Sequence, residues 1–211
     1  MPASQALLGY GSLLGRQGTN LTTIALAITA NAAPQVVTPA AMTSIVVGSV
    51  LAIDTANPAV KEIVQVSAVT GSTFTAIFNN NHGTAISIAL MVPLVEVLKA
   101  GGPGMKADMK EVSNMGSPNA YKEFIAGLRE GGDVTFEGNY IPKEATNSQA
   151  TLRTDFENGT LSCWCLDMPG PAGNGIWMFN AFVSSIQPTY PLDDRVTFTG
   201  TLRITGKPVL F

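Results

Sequence analysis

Charge is what this chain has least of. Asp, Glu, Lys and Arg make up only 13% of its 211 residues, about half the share of an ordinary soluble domain. It has one histidine, His82, and two cysteines, Cys163 and Cys165, standing as C-W-C. That set matches no zinc spacing. Residues two apart on a strand share a face but are poorly placed for a mutual disulfide, so both cysteines read as reduced. His82 falls in a polar turn with no metal or triad partner near it in the sequence and is expected to be solvated. The P-loop, nucleophile-elbow and H-E-x-x-H patterns are all missing. G-x-G occurs at Gly9–Gly11, outside any βαβ context. The carboxylate pairs Asp193/Asp194, Asp155/Glu157 and Asp133/Glu137 read as turn caps or solvated faces rather than a glycosidase pair. No catalytic, cofactor-binding or metal-binding residue is assigned, and an enzyme is not expected.

Two further absences concern partners. The net charge is −3 and the Lys and Arg residues are scattered, so there is no basic patch to grip phosphates. The longest nearly unbroken apolar stretch, around Ile45 to Ile53, is about half of what a bilayer span requires. The N-terminus lacks the basic start and apolar run of a signal peptide. No membrane partner is expected, and synthesis and assembly are expected in a cytoplasm.

Apolar residues are plentiful at 45%, with 21 Gly and 13 Pro, which suits an all-β chain rich in turns. Between Ile24 and Val92 only Asp54, Lys61 and Glu62 are charged, 3 residues in 69 positions. Within that stretch lie the β-like runs IVVGSVLAI, EIVQVSAV, TFTAIF and ISIALMV, separated by turn signals at Asn57-Pro58, Gly71 and Asn79 to Gly83. Residues 24–93 therefore read as an inserted small β-barrel or sandwich module. Residues 1–23 and 94–211 form the host β-sandwich, with Thr23 and Pro93 expected to lie close together.

After a strand at 94–98 comes a Gly/Pro-rich loop, Lys99, Gly101, Gly102, Pro103, Gly104, Met105 and Lys106, read as flexible. A helix is predicted next. Ser117 can cap it, Pro118 fits its first turn, and Tyr121, Phe124, Ile125 and Leu128 fall at i, i+3, i+4 and i+7, a stripe for packing on a sheet. Gly131-Gly132 would end it, and Gly127 inside it costs about 1 kcal/mol. Strands are predicted in DVTFEGNY, TLRTDF, TLSCWCL, IWMFNAFVSSIQPTY and RVTFTGTLRITG, with a Gly/Pro loop over 168–175. DVTFEG at 133–138 echoes RVTFTG at 195–200 in four of six positions. The echo is either convergent strand composition or a pair of equivalent strands.

The stretch from Lys110 to Tyr140 resembles the siphophage tail tube (major tail) protein family. The resemblance rests on Val112, Ser113, Asn114, Ser117 and Pro118, then Ile125, Gly127, Leu128, Glu130, Gly131 and Gly132, then Val134, Phe136, Gly138 and Asn139. The C-terminal part is similar as well, in Phe179 to Val183, Pro191 to Val196 and Gly206 to Pro208. The module at 24–93 departs from the simplest family pattern. The resemblance implies a mainly β fold, a two-sheet antiparallel sandwich with one flanking helix. It implies homo-hexameric rings stacked into a tube in the virion tail, meeting tape measure, tail terminator and distal tail proteins, with DNA crossing the lumen unbound.

On that footing Glu111, Asp133 and Glu137 are lumen-lining candidates, since an acidic lumen would not brake DNA. The 99–106 loop is the candidate contact between rings, and the module would sit outside the tube. Competing readings are a carbohydrate-binding or adhesive module using Trp164 or Trp177, which otherwise belong to the core, and a hydrolase with an unrecognised carboxylate site. Within phages, a head–tail joining protein or a contractile-tail tube is the alternative.

Overall fold

The computed structural model describes residues 12–117, 119, 121–141, 148–168 and 175–211. Pro118, Gly9–Gly11 and the loop over 169–174 lie outside them. The elements run β1 (Leu13–Ile24), β2 (Asn31–Val37), β3 (Val50–Ile53), β4 (Glu62–Gln65), β5 (Ala68–Val69), β6 (Phe74–Phe78), β7 (Ile86–Pro93), β8 (Val97–Ala100), β9 (Lys106–Glu111), β10 (Phe124–Glu130), β11 (Asp133–Asn139), α1 (Ser148–Asn158), β12 (Ser162–Met168), β13 (Gly175–Thr189) and β14 (Thr197–Leu210). The fold is mainly β, with antiparallel pairing throughout these strands. A nine-stranded sheet in the order β4-β3-β7-β1-β12-β13-β14-β11-β8 is its backbone, accompanied by β2-β6-β5 and by the separate pair β10-β9.

Alternation sets the faces as the sequence predicts. Val134, Phe136 and Gly138 of β11 point inward with Phe198, Gly200, Leu202 and Ile204 of β14, while Asp133, Thr135, Thr199 and Arg203 face solvent. The echo between 133–138 and 195–200 has a physical meaning. β11 and β14 pair directly, so that Phe136 lies opposite Gly200 and Phe198 opposite Gly138. Each phenyl ring covers the other strand's glycine, and the two rings meet edge to face at 5.9 Å. A Cβ on Gly200 would stand 2.2 Å from the Phe136 ring. The repeated motif is thus a local two-fold pair of strands.

One core packs Trp164, Phe179, Phe198, Leu202 and Leu152 of the main sheet and α1. A second lies between the sheet strands β3, β4 and β7 and the small sheet β2-β6-β5, around Leu51, Ile53, Phe74, Phe78 and Ile88. Residues 24–93 therefore own a core, yet their strands continue the main sheet through β1-β7, and a third cluster joins Ala52, Ile63 and Met91 to Cys165 and Ile176. Thr23 and Pro93 are not neighbours, contrary to expectation. Thr23 pairs with Ser87 and Pro93 with Gly15, at opposite ends of a shared ladder.

Two segments take the other secondary structure from the one predicted. TLRTDF is helical, within α1. Its inward positions are Gln149, Leu152 and Asp155, spaced three apart and all buried, so two of the three are polar and no apolar stripe shows in the sequence. Asp155 is buried because the Arg16 guanidinium on β1 clamps its carboxylate through Nε at 2.5 Å and Nη2 at 2.8 Å, while Ser162 Oγ donates at 3.2 Å. Conversely, the predicted helix carrying Tyr121, Phe124, Ile125 and Leu128 does not form. Phe124–Glu130 is the strand β10, and Tyr121 precedes it in extended chain.

Candidate assembly surfaces

β9 and β10 pair only with each other, and every residue of both strands is exposed. The register runs from Phe124 opposite Glu111 to Glu130 opposite Lys106, with an irregularity between Ala126 and Arg129. Gly127 fits there because a Cβ would come 3.2 Å from the Asp108 carbonyl oxygen. Ion pairs hold the foot of this arm: Lys106 to Glu130 at 3.2 Å, Arg203 to Glu130 at 3.2 Å and Arg203 to Asp133 at 3.1 Å. Near the tip, Lys122 meets Glu111 at 2.7 Å and Ser117 Oγ donates to the Glu123 carboxylate at 2.8 Å. Exposed pairs of this kind add little, and a lone two-stranded hairpin is marginal in water. Yet the arm carries Met109, Val112, Tyr121, Phe124, Ile125 and Leu128 uncovered. Apolar side chains left uncovered in this number make the arm a candidate interaction surface. The four residues expected to pack a helix on the sheet instead face outward.

The loop expected to be free is laid along β11. Gly101 N–H donates to the Thr135 carbonyl at 2.7 Å. A Cβ on Gly132, which has φ +74°, would lie 2.1 Å from the Gly104 carbonyl oxygen, so the two backbones touch. Lys99 sits on β8 across from Glu137. Gly102, Pro103 and Met105 lead into Lys106 at the start of the arm, with Met105 exposed.

The outer face of β11, β14 and β13 is built of cross-strand rows. Thr135, Thr201 and Ser185 stand side by side, as do Glu137, Thr199 and Gln187, then Asn139, Thr197 and Thr189. Asp133 and Glu137 share this face, with Asp133 paired to Arg203. The third acidic candidate, Glu111, lies on the arm beside Lys122 and is not brought to them.

His82 is buried rather than solvated. Its Nε2 lies 2.7 Å from Glu62 Oε1 and its Nδ1 3.4 Å from Asp54 Oδ2, and Glu62 also accepts the Asn79 amide at 2.8 Å. Phe78 meets the imidazole edge to face at 6.2 Å. The knot ties the ends of β3 and β4 to the turn after β6. Turn chemistry gave no sign of it, because Glu62 and Asp54 are 20 and 28 residues away. Lys61 bonds to Gln17, so all three charged residues of the 24–92 stretch are committed inside the molecule. Burial pushes both thiols up, Cys165 most strongly; at Cys163 the Lys61 ammonium opposes the rise. Trp164 is in the core and Trp177 packs against it. Among the described residues no group of three or more His, Cys, Asp or Glu could hold a metal ion, and no helix is long and apolar enough to cross a membrane.

No curated protein matches the chain. Three solved assemblies are similar in structure. The virion of a native gene transfer agent particle aligns at 13% identity and TM-score 0.48, over 57% of this chain and 88% of that one. The tail of an empty gene transfer agent particle aligns at 14% and 0.49, over 57% and 86%. The baseplate of an anti-feeding prophage aligns at 7% and 0.44, over 81% and 97%. The Lambda phage tail tube protein (TTP) family matches residues 79–211, well over half of the chain and the part that holds the arm, the hydroxyl-rich face and both echo strands. On that match, the chain belongs to the Lambda phage tail tube protein family, whose members are structural components of the phage tail.

Proposed function

We propose that this chain is the repeating subunit of a phage tail tube. Its copies join into rings, hexameric as the family resemblance implies, and the rings stack into a hollow shaft in the virion tail. The observation that carries this reading is the arm. A hairpin with apolar side chains on an exposed sheet, held at its foot by weak surface ion pairs, is incomplete in a single copy. It becomes intelligible when a second copy covers it. The Gly/Pro stretch from Lys99 to Lys106 sets the arm's position and belongs to the same contact between rings. The rows of Thr, Ser and Gln on β11, β14 and β13 suit a wet channel wall on which Asp133 and Glu137 are the acidic members. The cations beside it, Arg203 and Lys99, stand opposite Asp133 and Glu137, so the wall offers no unopposed cationic stripe to hold DNA and a duplex passes without specific binding. The chain acts as structure and not as an enzyme. Residues 24–93 lie on the outside of the shaft, since a ring of such modules inside would leave no room for a duplex. Assembly takes place in the host cytoplasm, with tape measure, tail terminator and distal tail proteins as the other components.

Negative-stain microscopy of the native particle, with an antibody to residues 24–93, tests this reading. Regular labelling along a hollow tail shaft is expected. Labelling confined to the head, the baseplate or fibres would overturn it.

A further inference from the structure

We propose that the acidic turn Leu192-Asp193-Asp194 of one copy seats in a basic groove at the foot of the arm of a second copy. The contact rests on the tube-subunit reading above and specifies how one copy recognises the next. The groove has a volume of about 670 Å³ and lies between the arm and the C-terminal half of β14. Lys106, Arg129, Arg203 and Lys207 line it, with Glu130 as the sole lining carboxylate. Arg203 and Lys106 are engaged by Glu130 and Asp133. Among the described residues, Arg129 and Lys207 have no carboxylate partner. On a chain of net charge −3, this concentration of cations is local. Met105 and Pro208 add apolar walls.

The turn after β13 is the complement. Leu192 is wholly exposed at its tip, and Asp193 and Asp194 are exposed beside it. Asp194 accepts only the amide of the adjoining Arg195, at 2.7 Å, and Asp193 has no side-chain partner among the described residues. An apolar tip flanked by two carboxylates matches an apolar-walled slot flanked by two uncommitted cations.

The two features cannot meet within one molecule. Thr189 pairs with Thr197 next to the turn, whereas Arg203 and Lys207 lie further along β14, roughly 20–35 Å away at about 3.4 Å per residue. Donor and receiver thus sit toward opposite ends of the same strands. A contact between different patches on identical copies is head-to-tail, and head-to-tail contacts propagate into closed rings or open stacks.

The test uses two charge-reversal variants of the full chain, D193K/D194K and R129E/K207E. All four side chains are exposed, so circular dichroism and thermal melting should match the wild type. Polymer formation is followed by sedimentation and negative stain. Each variant alone should need about tenfold more protein, or worse, to polymerise. An equimolar mixture should polymerise like the wild type, because each variant's turn then complements the other's groove. If the wild type polymerises and both variants do so at the same concentration, the contact is overturned and the tube reading stands. A mixture that fails to recover likewise overturns it. A wild type that forms no polymer at any concentration, even when seeded with tail tips from the native particle, counts against the tube reading itself, and the contact falls with it.

Discussion

Replacing Phe124, Ile125 and Leu128 together by serine should raise the concentration needed for assembly while leaving the monomer's stability intact. The three side chains are 51%, 55% and 85% exposed, so together they present roughly two full side chains' worth of apolar surface. At about 1.5–3 kcal/mol per fully buried large side chain, covering them in an assembly yields about 3–6 kcal/mol gross. Ordering the arm and its partner offsets part of this. A net loss of about 1.5–3 kcal/mol per contact remains, or about 10-fold to 150-fold in the concentration needed for polymer. Sedimentation reads that threshold and urea unfolding of the monomer reads stability. Because the residues touch little in the monomer, the unfolding free energy should change by less than about 0.5 kcal/mol. Polymerisation at the wild-type threshold would refute the interface role of the arm. A stability loss of about 2–5 kcal/mol would refute its exposure, since that is the signature of core truncation.

Substituting His82→Ala strips Glu62, which is fully buried, of its imidazole partner and leaves it only the backbone amides. A loss of about 3 kcal/mol is expected in urea unfolding, and a change under about 1 kcal/mol would show that the knot holds nothing. Gly200→Ala should cost about 1–3 kcal/mol by overpacking against the Phe136 ring; Phe136→Leu in the same chain should recover part of that, and an additive double variant would contradict the contact. Burial raises both thiols from their ordinary 9.0. The stability they lend is complete below that value and is lost as pH rises above it. Urea midpoints measured from about pH 7 to about pH 10 should therefore fall more in the wild type than in C163A/C165A, and parallel falls would refute it.

Composition and local pattern were reliable where one face of a strand is buried and the other wet. β11 and β14 could be placed from alternation, the runs of the 24–93 stretch from apolar content between turn signals, and the family resemblance was carried by short motifs around the ends of the host strands. The echo of VTF-x-G was visible too, but its sense was not. Only the pairing of β11 with β14 shows each phenylalanine sheltering the other strand's glycine. The buried polar groups left no local trace. Asp155 and Arg16 are 139 residues apart, and His82 finds its carboxylates on distant strands, so nothing next to either residue announces burial.

The segment from Tyr121 to Glu130 draws the line most clearly. Its apolar residues satisfy two periods at once, since Phe124, Ile125 and Leu128 fit a helix while Phe124, Ala126 and Leu128 fit a strand. The sequence by itself determined that this segment carries apolar residues at regular spacing, stops at Gly131-Gly132 and belongs to a β-rich, charge-poor chain with no recognisable chemistry. Whether it became helix or strand was decided by tertiary structure, through the partner strand Lys106–Glu111. A helix satisfies its hydrogen bonds within four residues, whereas a strand must find them on another segment, and that segment's availability is not a property of local sequence.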